Sequence, residues 1–359
     1  MTIFVGAAST LLTGVLLLPS AWYSLLRLIG RPVVGPTWLG WLSDHTLPLI
    51  LAFILTLFAL LLGNFVSNNL RIAWLLLPPL QLLAIGLPVY ILSSIGRWKI
   101  SAGSPQRSWG VFSAGLFLGP LIILVLEVLA GASLVVLGLI YVSLRPDLQQ
   151  ELALLSEQIH AVGNSPDQIL KILAPYVSNP WVILVLLAFL SGIVPLIEEA
   201  FKPIGVYFVA GSHLTAVQGF AAGLLSGTGY ALFENLALSN SGVDWAATVI
   251  GRIGTGLLHI TTAGLVGWAL ITAINQRKYL RLGVIYLVSV FIHGTWNALA
   301  LLSAVTDLAG TGNLGGGINY LAQVSRWATL GLLIMIVIIF LVLLRMNRVM
   351  RRPAHAEVT

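Results

Sequence analysis

Nine times between residues 3 and 344 the chain runs apolar for roughly twenty residues or more, the length a helix needs to cross a bilayer. The stretches are about 3–26, 47–66, 71–95, 109–143, 181–209, 214–238, 246–273, 282–304 and 323–344. Of the 359 residues, 58% are hydrophobic and only 8% charged, and mean hydropathy is +0.98. A soluble domain carries about 25% charged residues. A water-soluble core is excluded, and the expected fold is all-α: a polytopic transmembrane helix bundle of about nine spans. The range is eight to ten, because 109–143 is long enough for one kinked pass or two short ones. The first stretch lacks a basic leader and a small-residue cleavage site, so it reads as a span and not as a removed signal peptide.

Basic residues suggest the orientation, since cytoplasmic loops collect Lys and Arg. They cluster after the first span (Arg27, Arg31), the third (Arg97, Lys99, Arg107) and the seventh (Arg277, Lys278, Arg281), and in the C-terminal tail. The opposite loops hold only Arg71, Arg145, Lys171 and Arg326. With nine spans this puts the N-terminus outside and the C-terminus in the cytoplasm of a multi-pass cell-membrane protein. The net charge of +6 reflects those loops. Basic residues never form an aromatic-interleaved stripe, so nucleic acid is not an expected partner. There is no cysteine, which excludes disulfides, thiolate metal sites and cysteine nucleophiles.

The expected organisation is N-terminal spans over 1–143, an extracytoplasmic helical loop over 144–180, a polar transmembrane core over 181–304, and a last span with a basic tail over 305–359. In the loop, Leu148, Leu152, Leu155 and Ile159 recur at helical spacing, so 147–161 reads as an amphipathic helix. Ser165-Pro166 looks like the start of another. A hairpin lying on the bilayer surface is the plain reading, and a lid over an outward-facing site the functional one. Gly310–Gly317 reads as a flexible outer loop.

Charge inside a span costs at least about 2.5–3.5 kcal/mol at the bilayer centre, so each such residue needs a reason. Here they are Glu127, Glu198, Glu199, Lys202, Glu234, Arg252, His259 and His293, with the amides Asn235 and Asn297. All but Glu127 fall in spans five to eight. Glu198 and Lys202 are four apart and can pair on one helix face, leaving Glu199 for another partner. His293 and Asn297 also share a face. Gly223, Gly227 and Gly229 would let the helix carrying Glu234 approach its neighbours closely. A lone membrane histidine more often bridges helices than binds a ligand, and one Glu–Lys pair is often structural. Three carboxylates and two histidines on four consecutive spans are most easily satisfied in one polar pocket.

Intramembrane peptide hydrolysis needs such a pocket: a base to activate water and a polariser for the carbonyl oxygen. No H-E-x-x-H occurs. The five aspartates (Asp44, Asp147, Asp167, Asp244 and Asp307) all fall in expected loops, which argues against a membrane aspartate dyad. "GLLSGTGYA" around Ser226 looks faintly like a rhomboid serine motif, but its glycine stands three residues before the serine instead of two. A glutamate base with histidine and asparagine support is what remains.

Four ordered motifs then resemble the PrsW family of intramembrane proteases, relatives of the CAAX-processing and bacteriocin-immunity membrane proteases. They are E-E-x-x-K at Glu198–Lys202, an aromatic-x-x-x-E-N at Tyr230–Asn235, His259 in the next span, and H-G-x-W-N at His293–Asn297. The resemblance covers about residues 185–300. It implies that Glu199, with Glu198, activates water, and that Lys202 holds Glu198 ionised. It implies that His259 and His293 bind metal or stabilise the oxyanion, that Glu234 is a ligand or second acid, and that Asn297 donates to the oxyanion. Glu199, His259 and His293 would form a catalytic zinc set; a metal-free glutamate mechanism uses the same residues. The implied substrate is a membrane-anchored protein, such as an anti-sigma factor, met in the lipid bilayer. An ion-coupled transporter and a non-catalytic scaffold are the rival readings; the sequence does not address oligomeric state.

Straight helices would place Glu198, Glu234 and the two histidines at different depths. A break in the helix around Gly192–Pro195 is therefore expected, and Pro203, directly after Lys202, is a second place for one.

Overall fold

The computed structural model describes residues 2–32, 35, 45–68, 70–163, 165–177, 179–211, 213–237, 245–310 and 319–351. Residues 311–317 of the glycine-rich stretch, Asp44, Asp244 and the tail beyond Arg351 lie outside them. Among the described residues the secondary structure is helical, and eight helices are long and apolar enough to cross a membrane. The chain falls into two compact units.

The first unit comprises residues 1–122, 199–289 and 336–359. It contains α1 (Thr2–Leu28), α2 (Thr46–Ser67), α3 (Leu70–Gly96) and α4 (Pro105–Ser113). It also holds α10 (Ile204–Val209), α11 (Ala216–Ala237) and α12 (Trp245–Gln276). Large apolar side chains such as Phe53, Phe58, Leu61 and Phe65 are exposed along α2, as a lipid-facing surface requires.

Helix α11 is the centre of this unit, with Gly219 through Leu232 all buried. Its 22 residues suffice to cross a bilayer by length, yet it is not among the eight apolar spans, although the sequence expectation counted 214–238 as one. The physical reason is its surroundings. A helix enclosed by protein needs no apolar face toward lipid and can carry Ser226, Thr228 and Glu234. Its small residues allow the enclosure. A Cβ on Gly223 would stand 2.3 Å from the Ala263 carbonyl oxygen of α12, and one on Gly227 2.7 Å from that of His259. On another face, a Cβ on Gly229 would meet Phe112 O of α4 at 2.3 Å. Such backbone-to-backbone approach is how helices associate where lipid supplies no hydrophobic drive.

The second unit comprises residues 123–198 and 290–335. Pro105–Ser143 is one 39-residue helical run, which settles the ambiguous fourth stretch as a single pass. It consists of α4, a π-helical turn at Ala114–Leu118 and α5 (Gly119–Ser143), and it passes from the first unit into the second. Helices α6 (Pro146–Val162) and α7 (Pro166–Val177) follow as the sequence suggested, and no residue of α6 is buried. Ile169 N–H donates to Ser165 O, so α7 starts where the Ser-Pro pair placed it. At the head of α6, Arg145 meets Asp147 at 2.8 Å and its hydrogen bond holds that carboxyl below the usual carboxylate range. Asp147, Asp167 and Asp307 lie on helices and not in loops as expected, but none lies within an apolar span.

The fifth span is interrupted at both expected places. It runs as α8 (Pro180–Ala188), a π-helical turn over Phe189–Ile193, then α9 (Val194–Phe201), and it stops at Lys202–Pro203 before α10. Pro195 has no N–H and its ring crowds the carbonyl four residues back, at Ser191, so the ladder widens there. The remaining long helices are α13 (Tyr279–Gly310) and α14 (Asn319–Met350).

Candidate functional site

The buried charge begins at the break after α9. Glu199 and Lys202 are both fully buried, and Lys202 Nζ lies 2.8 Å from Glu199 Oε1. The four-residue spacing points instead to Glu198 as the partner. The helix ends at Phe201, so the regular i,i+4 geometry does not extend to Lys202. Ser226 of α11 stitches the break: its hydroxyl donates to Lys202 O at 2.6 Å and accepts from Gly205 N–H at 3.2 Å. That explains the buried serine in "GLLSGTGYA" without a nucleophile.

One turn along α11, Tyr230 receives Lys202 Nζ over its ring, 5.3 Å from the centroid. The same ring meets His259 edge-on, centroids 5.1 Å apart. One more turn on, Glu234 Oε2 lies 2.5 Å from His259 Nε2, and Glu234 Oε1 accepts from Arg252 Nη1 at 3.0 Å. Asn235 Nδ2 donates to Arg252 O at 3.0 Å, tying the same two helices. All of these contacts are within the first unit. Arg252 stands in the sequence as a membrane charge with no role assigned to it. Its signal was its spacing, since it stands seven residues before His259 and so two turns along the same face of α12. Ser226, Tyr230 and Glu234 likewise stand four apart on one face of α11.

In the second unit, Glu198 Oε2 lies 3.9 Å from His293 Nε2, and both residues are buried. The rest of H-G-x-W-N serves the π-helical turn. A Cβ on Gly294 would stand 2.1 Å from Ser191 O, so only glycine admits that approach. Asn297 Nδ2 donates to Leu190 O at 2.9 Å, supplying a partner to a carbonyl in the widened turn. Asn297→Leu removes that donor at similar volume. It is expected to lower stability by about 1–3 kcal/mol, the cost of a carbonyl left without a partner inside a span, where lipid offers none. Thermal unfolding of the detergent-solubilised protein measures this, and an unchanged midpoint would show that the amide is not needed there.

Each acid–imidazole pair joins residues from two of the sequence motifs. The charges therefore have partners, and they are positioned by two helix breaks and one glycine-lined helix crossing. The profile of the PrsW family intramembrane metalloproteases matches residues 104–344, about two thirds of the chain. That is wider than the 185–300 carried by the four motifs. It takes in α4, α5, the helical loop and most of α14, which the motifs left outside. No curated protein and no solved structure matches the chain. A multi-pass integral membrane protein with this profile is a protease, and the chain belongs to the PrsW family of intramembrane metalloproteases.

Proposed function

We propose that the protein is an endopeptidase that cuts membrane-anchored proteins in or near their transmembrane segments, with residues 181–304 as its catalytic core. The observation that carries this is the pair of acid–imidazole contacts, Glu198–His293 and Glu234–His259, in which both histidines are buried. A transporter or scaffold has no comparable support.

The donor set fits a zinc ion. Two ligands each roughly 2.0–2.2 Å from zinc are at most about 4.4 Å apart, so the 3.9 Å between Glu198 and His293 suits two ligands of one ion. The 2.5 Å between Glu234 and His259 is too short for that and marks the two as a direct acid–imidazole pair. Glu234 then orients the imidazole, as carboxylates behind metal-binding histidines do, and Arg252 holds Glu234 in turn. We therefore assign Glu198 and His293 as ligands, Glu198 replacing Glu199 in the set inferred from sequence, and keep His259 as that set has it. A bound zinc would polarise the scissile carbonyl and ease ionisation of water.

The chain's own groups do the rest. Glu199, fixed by Lys202, takes a proton from the attacking water as oxygen bonds to the carbonyl carbon. It returns that proton to the amine nitrogen as the C–N bond breaks. Asn297 carries two amide protons; one goes to Leu190 O, and the other is assigned to the oxyanion. Membrane-anchored regulators such as anti-sigma factors are the proposed substrate type. The N-terminus is proposed outside and the C-terminus in the cytoplasm.

The test is the purified protein in liposomes with a library of single-span reporter proteins. Cleavage is expected, to stop with a strong chelator, and to return on adding zinc. Cleavage by protein shown to be metal-free would overturn the ligand assignment. No cleavage of any reporter by folded, zinc-loaded protein would count against proteolysis itself.

A further inference from the structure

The first unit contains a cavity of about 1200 Å³ whose lining includes none of the carboxylates and histidines described above. We propose that it binds one anionic phospholipid, with the headgroup at Arg97 and Lys99 and acyl chain along α3. The inference stands apart from the peptidase chemistry.

The lining changes character along α3. It begins with Leu82, Leu83 and Leu87, continues through Ser93 and Ser94, and reaches Arg97 and Lys99 just past the helix end. At 1.5 Å per residue this is about 20 Å of travel. One leaflet of the hydrocarbon core is roughly 15 Å deep, so the apolar part suits an acyl chain and the end suits a headgroup. Leu12 and Leu16 of α1 add to the hydrocarbon wall. Among the described lining residues there is no Asp or Glu, while two are cationic. The cavity is thus electrostatically complementary to an anion and not to a zwitterion. Arg97 Nε donates to Ser93 Oγ at 3.4 Å, which steadies the guanidinium along the wall. Gly103 and Pro105, at the start of α4, also line the cavity, so the positive end of that helix adds to the field. Basic pockets between transmembrane helices are a recurrent form of anionic headgroup site. Its volume exceeds the roughly 300–1,000 Å³ of most small-molecule pockets, as a two-chain amphiphile needs.

The other wall is α11, through Leu225, Thr228 and Leu232, and the Thr228 and Ser93 hydroxyls are hydrogen-bonded at 2.9 Å. A bound lipid would therefore touch the helix that carries Tyr230 and Glu234.

The experiment titrates the detergent-purified full chain with phosphatidylglycerol, phosphatidylcholine or inorganic phosphate, following retained lipid by native mass spectrometry and the thermal midpoint. Phosphatidylglycerol is expected to be retained and to raise the midpoint, with phosphatidylcholine much weaker and phosphate without effect. Removing both cations in R97Q/K99Q should weaken retention roughly ten- to thirtyfold. Gly86 lines the cavity, and a Cβ there would meet nothing within 4 Å, so Gly86→Trp fills the space without a backbone clash and should abolish retention. Equal retention of the two lipids would overturn the proposal, and so would a phosphate effect matching that of the lipid. Undiminished retention by folded R97Q/K99Q or by G86W would do the same. If R97Q/K99Q does not fold, G86W and the wild-type comparison of lipids decide.

Discussion

Lys202→Met should destabilise the protein by about 3–5 kcal/mol, because it leaves the fully buried Glu199 carboxylate without its ammonium. Most of that loss should return in the double variant K202M/E199Q, where neither partner carries charge. Replacing a whole buried ion pair by neutral groups of similar shape is often close to neutral, whereas removing one member is not. The two effects separate stability from chemistry. Thermal unfolding in detergent should rank wild type and the double variant together, well above the single one, while neither variant cuts a reporter. Equal midpoints for K202M and wild type would mean that the 2.8 Å contact contributes little and that the role given to Lys202 is wrong.

Glu198→Gln should abolish cleavage with little effect on folding. The residue is only 7% exposed, and its partner His293 can still face an amide of the same shape. What the amide cannot do is bind metal as a carboxylate. A bound metal supplies several kcal/mol of transition-state stabilisation, so losing one of its ligands should cost at least about 10²-fold in rate. Glu198 is preferable to Glu199 for this experiment, since changing Glu199 alone would strand the Lys202 ammonium.

The residues that carry charge in the spans were legible because lipid makes each one expensive. Glu198, Glu199, Lys202, Glu234, Arg252, His259 and His293 could be named from the chain alone. Both interruptions of the fifth span were legible too, through Gly192, Pro195 and Pro203. Partnerships were harder. Lys202 pairs with Glu199 because the helix stops one residue before it, and spacing rules hold only inside a continuous helix. Asn297 reads in sequence as a member of a catalytic motif, yet one of its protons goes to Leu190 O in the widened turn, a need that exists only once that turn has formed. Ser226 resembled a fragment of a nucleophile motif because a helix-break stitch and a nucleophile both need a small hydroxyl among glycines. Helix α11 illustrates the limit of hydropathy: its environment is other helices, so its composition answers to their packing instead of to lipid.

The most direct measurement compares protein N-termini in membranes of cells making the wild type or Glu198→Gln at equal levels. The account predicts new termini that appear only with the wild type and cluster in or beside single transmembrane segments, and those termini identify the substrate. Identical sets of termini, with the variant as folded and abundant as the wild type, would contradict proteolysis at this site.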